Sequence, residues 1–307
     1  YPLRRQRQMC IRDRLIPALM ISATPVLLAA VGEAVVEKSG VLNLGVEGMM
    51  ITGAVIGFII AVNTQIPIYG FICAAIAGAL LSVLFAILTQ YLMSNQVATG
   101  LGLTMVGLGL SALIGKPYEG IKSPTLNKLE IPILSEIPIL GPMIFSHDII
   151  VYFSIFVVAT VAFVINKTRI GLVLRAVGEN QEAAHALGYK VIRIRFLAIM
   201  FGGAAAGVGG AYISLARVPQ WTEGMTAGAG WIALALVVFA SWKPWRVLLG
   251  AYLFGGITVL QLNLQAIGVA IPVEILSMSP YLVTIVVLVG ISSVSYTHLT
   301  LPTKRIV

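Results

Sequence analysis

Hydrophobic runs of membrane length, separated by short polar breaks, organise the chain from residue 15 to about residue 290. The clearest lies at 48–115, where 68 consecutive residues include no Asp, Glu, Lys or Arg. At ~20 residues per crossing, such a stretch holds about three spans. The break Gln65-Ile66-Pro67 divides it, with one span before the break, another at 68–92 and another at 96–115. Further runs at 15–31, 148–166, 196–215, 247–265 and 281–290 predict helices, and the run at 227–242 is short enough to predict a tilted or partly re-entrant one. Pro17 and Pro25 predict a kink in the first. Period-two alternation is absent, so the spanning elements are helices and not barrel strands. The predicted fold class is an all-α integral membrane protein, a polytopic helical bundle of about nine membrane segments with broken or re-entrant elements.

Polar residues inside this pattern locate the candidate chemistry. Residues 32–50 pack Glu33, Glu37, Lys38, Asn43 and Glu47 among apolar neighbours, with breaks at Gly32, Ser39, Gly40, Gly45 and Gly48. Charged groups at membrane depth are costly unless they pair, meet water or lie at the interface. The glycines therefore predict a turn with an interrupted helix, tolerated where protein or a water-filled cavity covers it. Glu33, Asn43 and Glu47 are expected to turn inward as part of a path or gate. The competing reading is a short turn with an exposed Glu37–Lys38 pair, which contributes little. Gln261 and Asn263 place amides near the membrane, where they either line a path or bind helices together. Residues 202–210, GGAAAGVGG, set Gly203 and Gly207 in small-xxx-small register and predict close helix packing.

The longest charged segment is 167–195, with six basic residues (Lys167, Arg169, Arg175, Lys190, Arg193, Arg195) against Glu179 and Glu182. The positive-inside tendency puts it in the cytoplasm. Its middle predicts a short helix: Gly178 or Asn180 caps the start, Glu179 and Glu182 lie near the positive end of the dipole, and Gly188 stops it. So short a helix does not persist alone in water, and something must hold it. Lys243 and Arg246, flanked by Trp242 and Trp245, mark a second cytoplasmic turn. The charge-balanced 116–147 segment, with five prolines, fits the outer face.

Composition agrees and narrows the options. The 307 residues are 58% hydrophobic and 10% charged, far from a soluble domain. The net charge of +8 sits mostly in the ends: residues 1–14 contribute +4 and Lys304 with Arg305 +2, which argues against a nucleic-acid surface. Residues 1–14 and 293–307 look like translated adapter sequence and are set aside as non-native tails, leaving 15–290 as the transmembrane domain; a basic juxtamembrane anchor is the alternative. Two cysteines and three scattered histidines form no metal-ligand spacing. The Gly109 to Lys116 run imitates a P-loop, but its spacing is one residue too long and Pro117 stands where Ser or Thr would bind magnesium.

Two motifs carry a resemblance. Gly32-Glu33 followed by EKSGVLNLGVEGMM at 37–50 resembles the permeases of nucleoside and simple-sugar ABC importers, specifically the shorter permease of nucleoside importers served by a basic-membrane-protein type lipoprotein. Glu182-Ala183-Ala184, three residues, then Gly188 resembles the EAA-xxx-G loop of ABC importer permeases, whose short coupling helix docks in a cleft of the ATPase. The resemblance covers most of 15–290. It implies a plasma (inner) membrane permease, non-catalytic and binding no cofactor, that carries nucleosides. Its implied partners are a homologous second permease, a cytoplasmic ABC ATPase holding ATP and magnesium, an extracytoplasmic solute-binding lipoprotein and membrane lipid. The implied coupling set is Arg175, Glu179, Asn180, Glu182, Ala183, Ala184, Leu187 and Gly188. Ribose-type sugars and branched-chain amino acids remain alternatives, as does an ion-driven secondary transporter using Glu33, Glu37 and Glu47; the coupling loop disfavours that last class, which needs no docking helix.

Overall fold

The computed structural model describes the backbone of residues 2–130, 146–267 and 272–296. The side chains of the first tail, residues 297–307 of the second, and 131–145 of the outer segment lie outside the described residues. In chain order the helices are α1 (Pro2–Lys38), α2 (Val46–Thr64), α3 (Pro67–Ala86), α4 (Gln96–Gly115), α5 (Ile149–Lys167), α6 (Arg169–Glu179), α7 (Gln181–Ala186), α8 (Val191–Tyr212), α9 (Ala229–Phe239), α10 (Pro244–Ala266) and α11 (Val273–Tyr296). Two of them, α3 and α8, run on into π-turns at Ile87–Tyr91 and Ile213–Arg217. Strands β1 (Lys128–Glu130) and β2 (Ser146–Asp148) pair antiparallel, with Lys128 opposite Asp148. Among the described residues seven helices are long and apolar enough to cross a membrane, and α9 and part of α11 are shorter apolar helices.

The glycine run of α8 decides the packing. A side chain at Gly209 would meet the Pro25 carbonyl of α1, one at Gly210 the Met50 carbonyl of α2, and one at Gly203 the Gly78 carbonyl and Ser82 of α3. Three helices thus approach α8 backbone to backbone, as small residues permit where lipid supplies no hydrophobic drive. Around it α1 is largely enclosed and α10 is peripheral, with 83% and 22% of their apolar windows buried. On α3 the residues Ile72, Ile76, Leu80 and Leu84 recur every fourth position and are exposed, forming a stripe suited to lipid.

At the outer end, Ser123 N donates to Pro219 O at 3.1 Å, and Lys122 and Glu119 bridge to Gln220 and Trp221. Trp221 falls in the expected outer turn but folds inward and is 1% exposed. Asp148 caps α5 by accepting from Ile150 N and Val151 N at 3.1 and 3.2 Å, and accepts from Tyr212 Oη at 2.6 Å, pinning β2 to α8.

Three boundaries differ from the sequence expectation. The first helix continues past residue 31 to Lys38, so Glu33 and Glu37 lie on a helix and not in a turn. Helix α8 starts at Val191 instead of 196, because Arg193 is exposed and Arg195 finds acceptors in Ser39 O and Gln181 Oε1, so neither charge ends the helix. An unforeseen helix, α6, occupies the first half of the charged loop. Its Gly171, Leu174 and Val177 are buried at spacings of three, while Arg169, Ile170, Leu172 and Glu179 are exposed.

Candidate functional site: a mid-membrane helix break and the loop beside it

Ser39 Oγ closes α1 by donating to Val36 O at 2.6 Å, and Gly40 turns the chain at φ +82°. Residues 41–45 then climb along α4. Leu42 N donates to Gln96 Oε1 at 2.9 Å, and Thr104 Oγ1 donates to Leu44 O at 3.2 Å. Thr104 lies eight residues into α4, about 12 Å at 1.5 Å per residue. Gly48, in the first turn of α2, faces the Thr104 backbone closely enough that a Cβ would overlap it. Helix α2 therefore begins inside the membrane, and the segment before it is non-helical backbone at depth, of the kind allowed only under protein cover.

The polar residues of this stretch supply the cover. Glu33 Oε1 accepts from Asn43 N at 3.2 Å, and Asn43 Oδ1 accepts from Gly45 N at 3.0 Å. Asn43 Nδ2 contacts Met49 Sδ at 3.5 Å. Glu33 and Asn43 are buried, and Glu33 Oε2 has no hydrogen-bond partner.

Glu47 looks the other way, to a second break. Its Oε1 accepts from Thr226 Oγ1 at 2.5 Å and Gly228 N at 2.9 Å, and its Oε2 accepts from Gly230 N at 2.6 Å. Those amides are the open N-terminus of α9, whose preceding Gly228 sits at φ +83° and offers no side-chain cap of its own. The buried carboxyl of α2 thus serves as the missing cap for α9. At 11 residues α9 is about 16 Å long, half a membrane. Gly230 leaves room for this contact, since a Cβ there would lie 2.6 Å from Glu47 Cα. The sequence marked both Glu47 and the short run at 227–242, but their pairing is visible only in three dimensions.

Of the path residues expected from sequence, Glu33 and Asn43 are brought together, while Glu47 turns to the start of α9. Gln261 and Asn263 are not: Asn263 is exposed on α10 and its Nδ2 donates back to Val259 O at 2.8 Å.

All the contacts of the α1 end lie at one end of the bundle. Trp242 Nε1 donates to Glu37 Oε2, and Lys38 Nζ stands 5.6 Å from the Trp242 ring centroid. A side chain at Gly178 of α6 would meet the Lys38 carbonyl. The loops at 178–181 and 242–243 thus share a side with the 39–45 segment, as the alternation of spans requires.

On this side the short helix α7 stands free. Asn180 Oδ1 accepts from Ala183 N at 3.0 Å, capping its start. Gly188, at φ +85°, stops it, with Gly188 N and Tyr189 N donating to His185 O and Ala184 O. Ala184 is 2% exposed and packs with Val177 and Val191, so one side of α7 rests on α6 and α8. The other side is bare: Glu182 and Ala183 are exposed, and Leu187 and Tyr189 are 75% and 41% exposed outside the membrane-length helices. Glu179 is exposed, whereas Arg175 is half-buried and its Nε donates to Gly171 O at 3.4 Å within α6. Among the described residues no group of three His, Cys, Asp or Glu is placed to hold a metal ion.

The model of the family described as "Branched-chain amino acid transport system / permease component" matches residues 15–290. The chain is similar to TsgC13 of Haloferax volcanii, named as a glucose ABC transporter permease protein, at 39% identity over 89% of this chain and 90% of that one. It is similar to the nucleoside ABC transporter permease protein NupC of Lactococcus lactis at 32% (89% and 90% covered) and to the guanosine ABC transporter permease protein NupQ of Bacillus subtilis at 33% (90% and 91%). Each of these three organisms also supplies a second, more distant permease match, at 27%, 23% and 26% identity respectively. No solved structure matches the chain significantly.

Proposed function

The chain belongs to the permease-component family of branched-chain amino acid transport systems, and from that premise we propose that it is the permease subunit of an ATP-driven nucleoside importer. The observation that carries the ATP-driven part is α7. A capped six-residue helix whose outer face bears Glu182, Ala183 and Leu187, with Leu187 three-quarters exposed to the aqueous side, is an apolar knob seeking a cleft. A cytoplasmic ATPase that carries ATP and magnesium provides the cleft, and this chain performs no covalent chemistry itself.

The second permease match in each of three organisms supports a homologous partner permease, with each subunit forming half of the path. An extracytoplasmic lipoprotein delivers the solute over the 116–123 and 217–223 surface. Motion follows from the two breaks. Helices α2 and α9 both start within the bundle and are joined through Glu47, so they move as one gate element when the cytoplasmic side is displaced.

The nucleoside assignment rests on the two nucleoside-type relatives and on the 37–50 motif. A simple sugar is the second reading, favoured by the higher identity to TsgC13. Reconstitution of the chain with its partner permease, ATPase and lipoprotein decides between them. ATP-dependent uptake of labelled nucleoside is the expected result, uptake of glucose alone would establish the sugar reading, and uptake driven by an ion gradient without ATP would overturn both.

A further inference from the structure

The free loop and the break between α1 and α2 are far apart in sequence, yet one side chain joins them. Arg195, half-buried near the start of α8, donates from Nε to Ser39 O at 3.0 Å and from Nη1 to Gln181 Oε1 at 2.9 Å. The first acceptor is backbone at the end of α1; the second is the first residue of α7. Gly40 follows at φ +82°, and a Cβ there would lie 3.0 Å from Arg195 Nη2. Toward the α3–α4 turn, α7 borders a cavity of about 620 Å³ lined by Gln90, Ser94, Gln96, Glu182 and His185, with Arg195 at its wall. Helix α7 thus has open space on one flank and the guanidinium on another.

We propose that Arg195 is the positioning residue that transmits displacement of α7 to the α1–α2 break. This rests on the reading of α7 as the ATPase-docking helix. The guanidinium is a rigid planar fork, so Nη1 cannot follow Gln181 without also shifting Nε at Ser39. When α7 shifts into the cavity, either the Gln181 bond parts or the Ser39 carbonyl is drawn along. The carbonyl belongs to the more compliant element, because residues 40–45 are non-helical and pivot at a left-handed glycine. Four residues beyond 41–43, Glu47 holds the start of α9. Displacement therefore passes from α7 through Arg195 to residues 39–45, and on to α2 and α9.

The test uses the whole reconstituted transporter and three readouts: ATPase co-purification, hydrolysis with loaded lipoprotein, and solute moved per ATP hydrolysed. Arg195→Gln is expected to keep the first two and lower the third at least about tenfold, since both charged hydrogen bonds are lost. Arg195→Lys, which keeps the charge without the fork, falls between. Gln181→Ala cuts only the α7 arm and lowers the ratio, whereas Gln181→Glu keeps the acceptor and retains it. An unchanged ratio in both Arg195→Gln and Gln181→Ala overturns the proposal and leaves the coupling reading standing. Loss of ATPase co-purification in Gln181→Ala also overturns it, since the contact would then serve docking. A wild-type chain that binds no ATPase overturns the coupling reading and this proposal together.

Discussion

Glu47→Ala is the substitution whose effect the structure defines most closely. The carboxyl accepts three hydrogen bonds, two on Oε1 and one on Oε2, and is 3% exposed. Its removal leaves the Thr226 hydroxyl and the Gly228 and Gly230 amides without an acceptor, with Thr226 and Gly230 buried and Gly228 partly so. Each orphaned buried donor costs about 1–3 kcal/mol, so the loss of all three bonds costs about 3 kcal/mol or more. Glu47→Gln is milder and instructive. Its amide oxygen still serves Thr226 and Gly228, but the NH2 faces Gly230 N–H, donor against donor, for a loss of about 1–3 kcal/mol. Thr226→Val removes one bond and its donor together, at about 1 kcal/mol. The expected order of Tm for the purified protein in detergent, followed by tryptophan fluorescence at one scan rate, is wild type, Thr226→Val, Glu47→Gln, Glu47→Ala. Thr226→Val should raise Tm in the Glu47→Ala background, because it removes the hydroxyl that the first substitution orphans. A Glu47→Ala protein with wild-type Tm would refute the capping argument. Wild-type Tm with lost uptake in Glu47→Gln would instead assign the carboxyl to the solute path.

Three further outcomes are expected. Leu187→Ser should leave membrane insertion intact and reduce ATPase co-purification, and Gly188→Ala should act in the same direction, since a Cβ at φ +85° strains the helix end by about 1–2 kcal/mol; normal recovery in both would remove α7 from the docking surface. Gly210→Leu should abolish accumulation in the membrane fraction because its Cβ overlaps the Met50 carbonyl, while Gly109→Leu, with nothing within 4 Å, should accumulate like wild type. Single cysteines introduced at Lys122, Gln181 and Lys243, with Cys10 and Cys73 removed, should react with an impermeant thiol reagent from outside only at 122; labelling at 181 in intact spheroplasts would invert the topology.

The spans were legible because a bilayer demands one property, continuous apolarity, that can be counted along a chain. Residues 48–115 hold the three helices α2, α3 and α4 that the uncharged run implies. The short helix α7 was legible for a local reason: Asn180 and Gly188 act on neighbours within four residues, so its caps are written next to it. Helix α6 is hard to read from sequence because only Gly171, Leu174 and Val177 mark its buried face, within a segment dominated by charge. The first span was drawn too short because Glu33 and Glu37 look like a boundary, although a helix tolerates buried carboxyls once partners reach them.

Hydrophobicity and local capping, properties of consecutive residues, were enough to settle a helical membrane bundle, its loops and the candidate polar cluster at 33–47. Partner choice was not. Glu47 meets Gly230 across 183 positions and Arg195 meets Ser39 across 156, and nothing in either neighbourhood names the other. Those pairings exist because glycines let backbones approach closely, Gly230 bringing the start of α9 onto α2 and the glycines of α8 drawing in α1. Only that approach brings a carboxyl to an uncapped helix start and a guanidinium to a broken one, and hydrogen bonds, which act over about 3 Å, then hold them there.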